Sequence, residues 1–179
     1  FITLDEEGTP MSRPNNMGPQ IDPRETTKVI EFNDIGALET ALSARDVAAV
    51  LAEPAMTNIG IIHPNPGYHE ALREMTLKYG TYLIIDETHT ICTGPGGYTA
   101  SFDLQPDFLT LGKPLAGGVP AAIYGFTEEV SQAFTAKLAV DDADVGGIGG
   151  TLAGNALSIA AMKATLQHVL TDQFYVKAI

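Results

Sequence analysis

Three short apolar runs, each closed by chemically active residues, constrain this chain more than any other feature. They are Val47 to Ala52 (VAAVLA), followed by Glu53-Pro54; Tyr82 to Ile85 (YLII), followed by Asp86-Glu87; and Asp107 to Leu111 (DFLTL), followed by Gly112-Lys113. A continuous apolar run of this length is the pattern of a strand buried on both faces, as in a parallel sheet. Segments with helical spacing lie around and between the runs. Asp34 precedes Ile35, Leu38, Ala41 and Leu42. Asn65, as N-cap, and Pro66, in the first turn, precede Tyr68, Leu72, Met75 and Tyr79, with Gly80 as the stop. Asn155 precedes a face of Ile159, Met162, Leu166 and Val169. Strands alternating with helices imply βαβ units, an α/β fold and a mostly parallel sheet flanked by helices.

The remaining segments are read more coarsely. Residues 1–27, rich in Pro, Gly and polar groups, form an irregular leading segment with at most one short strand. Val29 to Phe32 and Ala121 to Tyr124 are further strand candidates, residues 127–137 are helical, and Val140 to Gly154 is a flexible loop rich in Gly and Asp. The organisation expected is therefore a leading segment (1–27), a sheet-and-helix core (28–170) and a connecting end (171–179).

Composition removes several classes of function. Ten Lys and Arg against 22 Asp and Glu leave a net charge of −12. Non-specific nucleic-acid binding rests on cations that neutralise phosphates, so no nucleic-acid partner is expected. No apolar run approaches the roughly 20 residues of a membrane helix, so no membrane partner is expected either. Phe1 to Met11 has neither a basic start nor a long apolar core, and does not read as a signal peptide. The single cysteine, Cys92, provides no disulfide framework and fits a reducing compartment, which makes the cytoplasm the expected location.

In open sheets of this kind ligands sit beyond the carboxyl ends of the strands. Those ends carry Glu53, Asp86 and Lys113, which can face one crevice. A carboxylate and an amine together suit pyridoxal phosphate, whose aldehyde condenses with a lysine and whose ring nitrogen must stay protonated to draw electrons. Taken alone, the pair is weak evidence and reads more readily as a structural ion pair or as solvated charges. Other motifs fail on spacing. A G-x-G-x-x-G starting at Gly147 meets Leu152, a P-loop ending at Lys113 meets Asp107, and His69-Glu70 meets Arg73 where a zinc-binding helix needs His. No metal site is expected.

The stretches LAEPAMTNIGI (51–61), YLIIDETHT (82–90), PDFLTLGKPLAGGVPAAIYG (106–125) and GGTLAGNALSIAA (149–161), in this order, resemble class III aminotransferases of the fold-type I superfamily that uses pyridoxal phosphate. They are especially similar to the branch with glutamate-1-semialdehyde aminomutase and β-amino-acid transaminases. The resemblance implies the large cofactor domain of that fold. It also implies a transaminase that moves an amino group between an amine or amino acid and a keto acid or aldehyde through a Lys113 Schiff base. Lys113 would then be the proton carrier, Asp86 the partner of the ring nitrogen, Thr88 the residue packed on the ring face, and His89 a donor near the phenolic oxygen. Gly150 and Thr151 would hold the phosphate of a neighbouring subunit, which makes the enzyme a homodimer with shared sites. Glu53, with Pro54, would set the loop behind the cofactor. Asn58 replaces the Glu that ornithine- and 4-aminobutyrate-type members pair with a gating arginine, and so sides with the aminomutase-like branch.

Two alternatives stand beside transamination. One is a 1,2-aminomutase of the glutamate-1-semialdehyde type. The departure of ETHTICTGPGGYT from the aminomutase pattern weighs against it. The other is a non-catalytic fragment acting as an assembly module. The chain starts without Met and ends in the apolar run FYVKAI, so it reads as the middle of a large cofactor domain, incomplete at both ends. The missing N- and C-terminal parts of the same enzyme are then implied partners.

Overall fold

The computed structural model describes residues 2–12, 22–138 and 151–179. The leading segment holds more order than its composition implies. β1 (Ile2–Leu4) and β2 (Pro10–Ser12) pair antiparallel, with Leu4 opposite Pro10. The Asp5 carboxylate closes the hairpin by accepting from the amides of Glu7 and Thr9 at 3.1 and 2.7 Å. α1 (Pro23–Thr26) follows, capped by Asp22. The strand expected at Val29 to Phe32 is absent. Ile30 and Phe32 instead pack against the core from irregular chain, and Asn33, at φ 72, turns the backbone into α2 (Ile35–Leu42). As expected, Asp34 caps α2, its Oδ1 accepting from the Ala37 amide at 2.8 Å.

β3 (Ala49–Ala52) leads through an irregular loop to α3 (Tyr68–Tyr79). Asn65 does not cap α3. Gly67 takes that place at φ 85, a backbone conformation with little cost for glycine alone. Asn65 is held elsewhere, its amide donating to Asn33 Oδ1 at 2.8 Å. β4 (Tyr82–Asp86), α4 (Gly97–Ser101), β5 (Phe108–Leu111), β6 (Ile123–Phe126), α5 (Glu128–Leu138), α6 (Ala156–His168) and α7 (Asp172–Ala178) complete the chain.

The sheet has the order β3-β4-β5-β6. β3, β4 and β5 run parallel, with Leu51 opposite Ile84 and Asp86 opposite Thr110. β6 begins two residues later than expected and runs antiparallel to β5. Residues 112–122 hold only a 3-10 turn, Lys113–Ala116, and a parallel return needs a longer crossover, usually a helix. One face of the sheet is the core. Leu83 and Ile85 alternate inward from β4 and meet Leu38 and Leu42 of α2 and Tyr68 and Leu72 of α3. Arg73 of α3 clamps Asp107, just ahead of β5, through two hydrogen bonds of 2.9 and 3.1 Å, and Asp107 Oδ2 also accepts from the Leu83 amide at 2.7 Å.

α6 corrects a further expectation. Asn155 caps it, accepting from the Ser158 amide at 2.9 Å, but the apolar positions are not its buried face. Ser158 and Thr165 are buried, whereas Ile159 and Leu166 are each 48% exposed. The small hydroxyl residues let α6 approach the 3-10 turn closely, and Ser158 Oγ donates to Pro120 O at 3.1 Å. Most of the Gly- and Asp-rich loop expected over 140–154 lies outside the described residues. The connecting end forms α7, tied down by the buried Tyr175, whose hydroxyl donates to Ile91 O at 3.1 Å.

Candidate functional site

The carboxyl ends of β3, β4 and β5 each carry a different local device. At β4, Asp86 continues the row of Tyr82 and Ile84, on the face away from the α2 and α3 core, because side chains alternate along a strand. Its Oδ1 accepts from the Thr88 amide at 2.8 Å, which folds the chain into a tight turn directly after the strand. Oδ2 has no hydrogen bond among the described residues. The next residue, Glu87, donates its amide to Thr110 O at 2.9 Å and so fastens this turn to β5.

At β5 the chain passes through the buried Gly112 into the turn that starts with Lys113. A Cβ at Gly112 would lie 3.4 Å from Thr88 Cγ2, so the Thr88 side chain rests on the backbone beside Lys113. Lys113 is exposed at φ 46, left-handed for a non-glycine residue. Such a conformation costs about 1–2 kcal/mol and must be imposed by the surroundings. Here Leu115 and Ala116 are buried and α6 packs on the turn. His89, half-buried in the β4 turn, has an Nε2 that is buried and unpartnered among the described residues.

At β3, Glu53 Oε2 accepts from Thr57 Oγ1 at 2.5 Å and Oε1 from Asn58 Nδ2 at 3.3 Å. This pair shapes a loop closed by the Met56–Ile62 bridge. The neighbouring Pro54 O takes a hydrogen bond of 2.9 Å from His69 Nε2, which fixes the proton on that nitrogen. Burial pushes the imidazole of His69 below its ordinary value. No described hydrogen bond links the Glu53 and Asn58 pair to Asp86 or Lys113. Thr151 lies exposed in the turn ahead of α6, and Gly150 lies outside the described residues. The structure thus joins Asp86, Thr88 and the Lys113 turn at adjacent strand ends, and joins Glu53 to Asn58 separately. A groove of about 410 Å³ between α3 and residues 102–105 includes none of these residues.

Sequence reasoning missed Glu87. It is 0% exposed, and its two carboxylate oxygens take the amides of Tyr98 and Thr99, each at 2.6 Å. The available signal was the Gly96-Gly97 pair downstream, since Gly97 leaves the space that the carboxylate fills. Tyr98 itself stacks on Phe102, with centroids 4.1 Å apart, and meets His69 edge-on.

The sequence pattern of class-III aminotransferases matches residues 11–179. The chain belongs to the class-III aminotransferase family. It is 35% identical to the glutamate-1-semialdehyde 2,1-aminomutase of Nitrosospira multiformis over 92% of its own length, and spans 38% of that relative. It superposes on a crystal structure of a glutamate-1-semialdehyde aminomutase from Pseudomonas aeruginosa with a TM-score of 0.87 and 45% identity, covering 96% of this chain and 39% of that one. It also superposes on a β-phenylalanine aminotransferase from Variovorax paradoxus, with a TM-score of 0.72 and 27% identity, covering 91% of this chain and 36% of that one.

The family's enzymes use pyridoxal phosphate, and the residues at the β4 and β5 ends suit it. Among the described residues, an exposed amine, a carboxylate oxygen without a hydrogen bond and an imidazole nitrogen without a partner are groups of the kind that its aldehyde, ring nitrogen and phenolic oxygen call for. Among the described residues no cluster of three His, Cys, Asp or Glu could hold a metal ion, and no helix is long and apolar enough to cross a membrane.

Proposed function

We propose that this chain carries the lysine side of a transaminase site, moving an amino group from an amine or amino acid to a keto acid or aldehyde. The observation that carries the proposal is the seating of Thr88 on Gly112, which sets the Lys113 turn beside the turn of Asp86. The bound cofactor supplies an aldehyde that condenses with an amine and a ring that takes up electrons. The chain's own residues do the rest. Asp86, through Oδ2, holds the proton on the ring nitrogen. Thr88 keeps one ring face covered and water off it. His89 donates from Nε2 to the phenolic oxygen. The Lys113 amine, once free, carries the proton to and from the substrate carbon.

The phosphate falls to Gly150 and Thr151 of a neighbouring copy, so the active form is a homodimer with shared sites, and its location is cytoplasmic. Glu53 and Asn58 shape the wall beyond β3. Residues 28–170 act as the cofactor-domain core, 1–27 as its leading segment and 171–179 as a connection onward. A second reading, an intramolecular 1,2-aminomutase, is supported by the names of the relatives at 35% and 45% identity.

Borohydride reduction in the presence of pyridoxal phosphate, followed by peptide mapping, should label Lys113; an unlabelled Lys113 would refute the site. Product analysis separates the two reactions. Transamination stops when the keto-acid acceptor is withheld, whereas a mutase continues.

A further inference from the structure

Glu87 is the most buried charged residue described and has no part in the chemistry above. Its side chain accepts from three groups: the Tyr98 amide to Oε2 and the Thr99 amide to Oε1, both at 2.6 Å, and Thr90 Oγ1 to Oε2 at 3.2 Å. The two amides belong to the first turn of α4, whose N-cap, Gly96, offers no side chain. A distant strand end therefore satisfies donors that a helix otherwise leaves unmet. The space is made by Gly97. At φ 71 it adopts a conformation unfavourable for other residues, and a Cβ there would collide with the Glu87 carboxylate. The Glu87 backbone is fixed as well, its amide on Thr110 O at 2.9 Å and its carbonyl taking the Ile91 amide at 3.0 Å.

We propose that Glu87 is a positioning residue, a buried clasp between the first turn of α4 and the β4 end that holds the Asp86, Thr88 and His89 turn in the pose the cofactor needs. The inference rests on the pyridoxal phosphate reading and adds a function for a residue outside it. The geometry explains why a carboxylate is required. Each oxygen faces its own amide donor, so Gln, of equal shape, would set an NH₂ against one of them and leave a buried donor unmet.

The test compares wild type with Glu87→Gln in two measurements. In the chain without added cofactor, hydrogen exchange should quicken by at least about tenfold at the Tyr98 or Thr99 amide, and also at the Thr88 amide, which bonds Asp86. With cofactor, binding should weaken by about tenfold and the visible circular dichroism of the bound ring should change. A quickening confined to residues 94–99, with unchanged Thr88 exchange and unchanged visible dichroism, would reduce Glu87 to a loop tether and overturn the proposal. Should Glu87→Gln fail to fold, Thr90→Val removes only the longest of the three bonds and should shift the same readouts in the same direction, by less. An unaltered Thr88 amide there would equally overturn it. Failure of the underlying reading is separate, since it appears as an unlabelled Lys113 in the wild-type borohydride experiment.

Discussion

At Lys113 the backbone itself can be tested. A φ of 46 penalises any residue with a Cβ, lysine and alanine alike. Lys113→Ala and Lys113→Gly should both lose covalent cofactor labelling, yet differ in stability. The glycine variant should be about 1 kcal/mol more stable than the alanine variant, as read from paired thermal or urea melts. Equal stabilities would mean that the turn is not held in the left-handed region. His69 gives a second prediction. Its folded-state affinity for a proton lies below the ordinary value near 6.5, burial being the largest cause, opposed first by the hydrogen bond to Pro54 O and then by the neighbouring Glu70. As pH falls through 6.5, the unfolded chain takes up a proton that the folded chain still refuses, so stability falls with pH in that window. Gln can also donate to Pro54 O but does not titrate. The wild type should therefore lose more stability than His69→Gln between pH 7.5 and 5.5, in parallel melts, and matching losses would contradict the assignment.

The two asparagines read as helix caps show how far elements can be inferred from sequence. Asn155 was legible because the cap bond is local: its Oδ1 meets the Ser158 amide three residues on. Asn65 was not, because what displaces it is a tertiary contact with Asn33, whose own Nδ2 donates to His63 O at 3.0 Å. The consequence is measurable. Asn155→Ala should cost about 1 kcal/mol, and Asn65→Ala less than about 0.5 kcal/mol, in equilibrium unfolding. A larger loss at Asn65 would restore it as the cap. The same division between local and distant causes holds elsewhere. The strand ends at Asp86 and Lys113 follow from apolar runs, and Asp34 follows from its helix. The turn of β6 against its neighbours, the burial of Ser158 and Thr165 on α6, and the Glu87 clasp depend on what each packs against, and spacing along the chain does not carry that.

At the scale of the molecule, surface and charge pull against each other. Parallel sheets ordinarily have both faces covered. Here α2 and α3 cover one, while on the other Leu51 of β3 is 68% exposed, with Tyr82 of β4 and Tyr124 of β6, at the far edge, also exposed. α6 adds Leu157, Ile159 and Leu166. Apolar surface of this extent favours contact with another apolar surface, whereas a net charge of −12 keeps identical copies apart. Salt should decide between them. At low ionic strength the repulsion reaches tens of ångströms, and at about 1 M salt it is screened to about 3 Å while apolar contact is unaffected or stronger. A purified polypeptide of these 179 residues should therefore brighten an apolar dye at all salt concentrations and associate more as salt rises. Leu51→Lys should reduce both the dye signal and the association, measured by sedimentation velocity across a salt series, because it places a charge on the open face at its edge strand, β3. Association that weakens as salt rises would instead mean that ion pairs hold the copies together and that the uncovered sheet face plays no part.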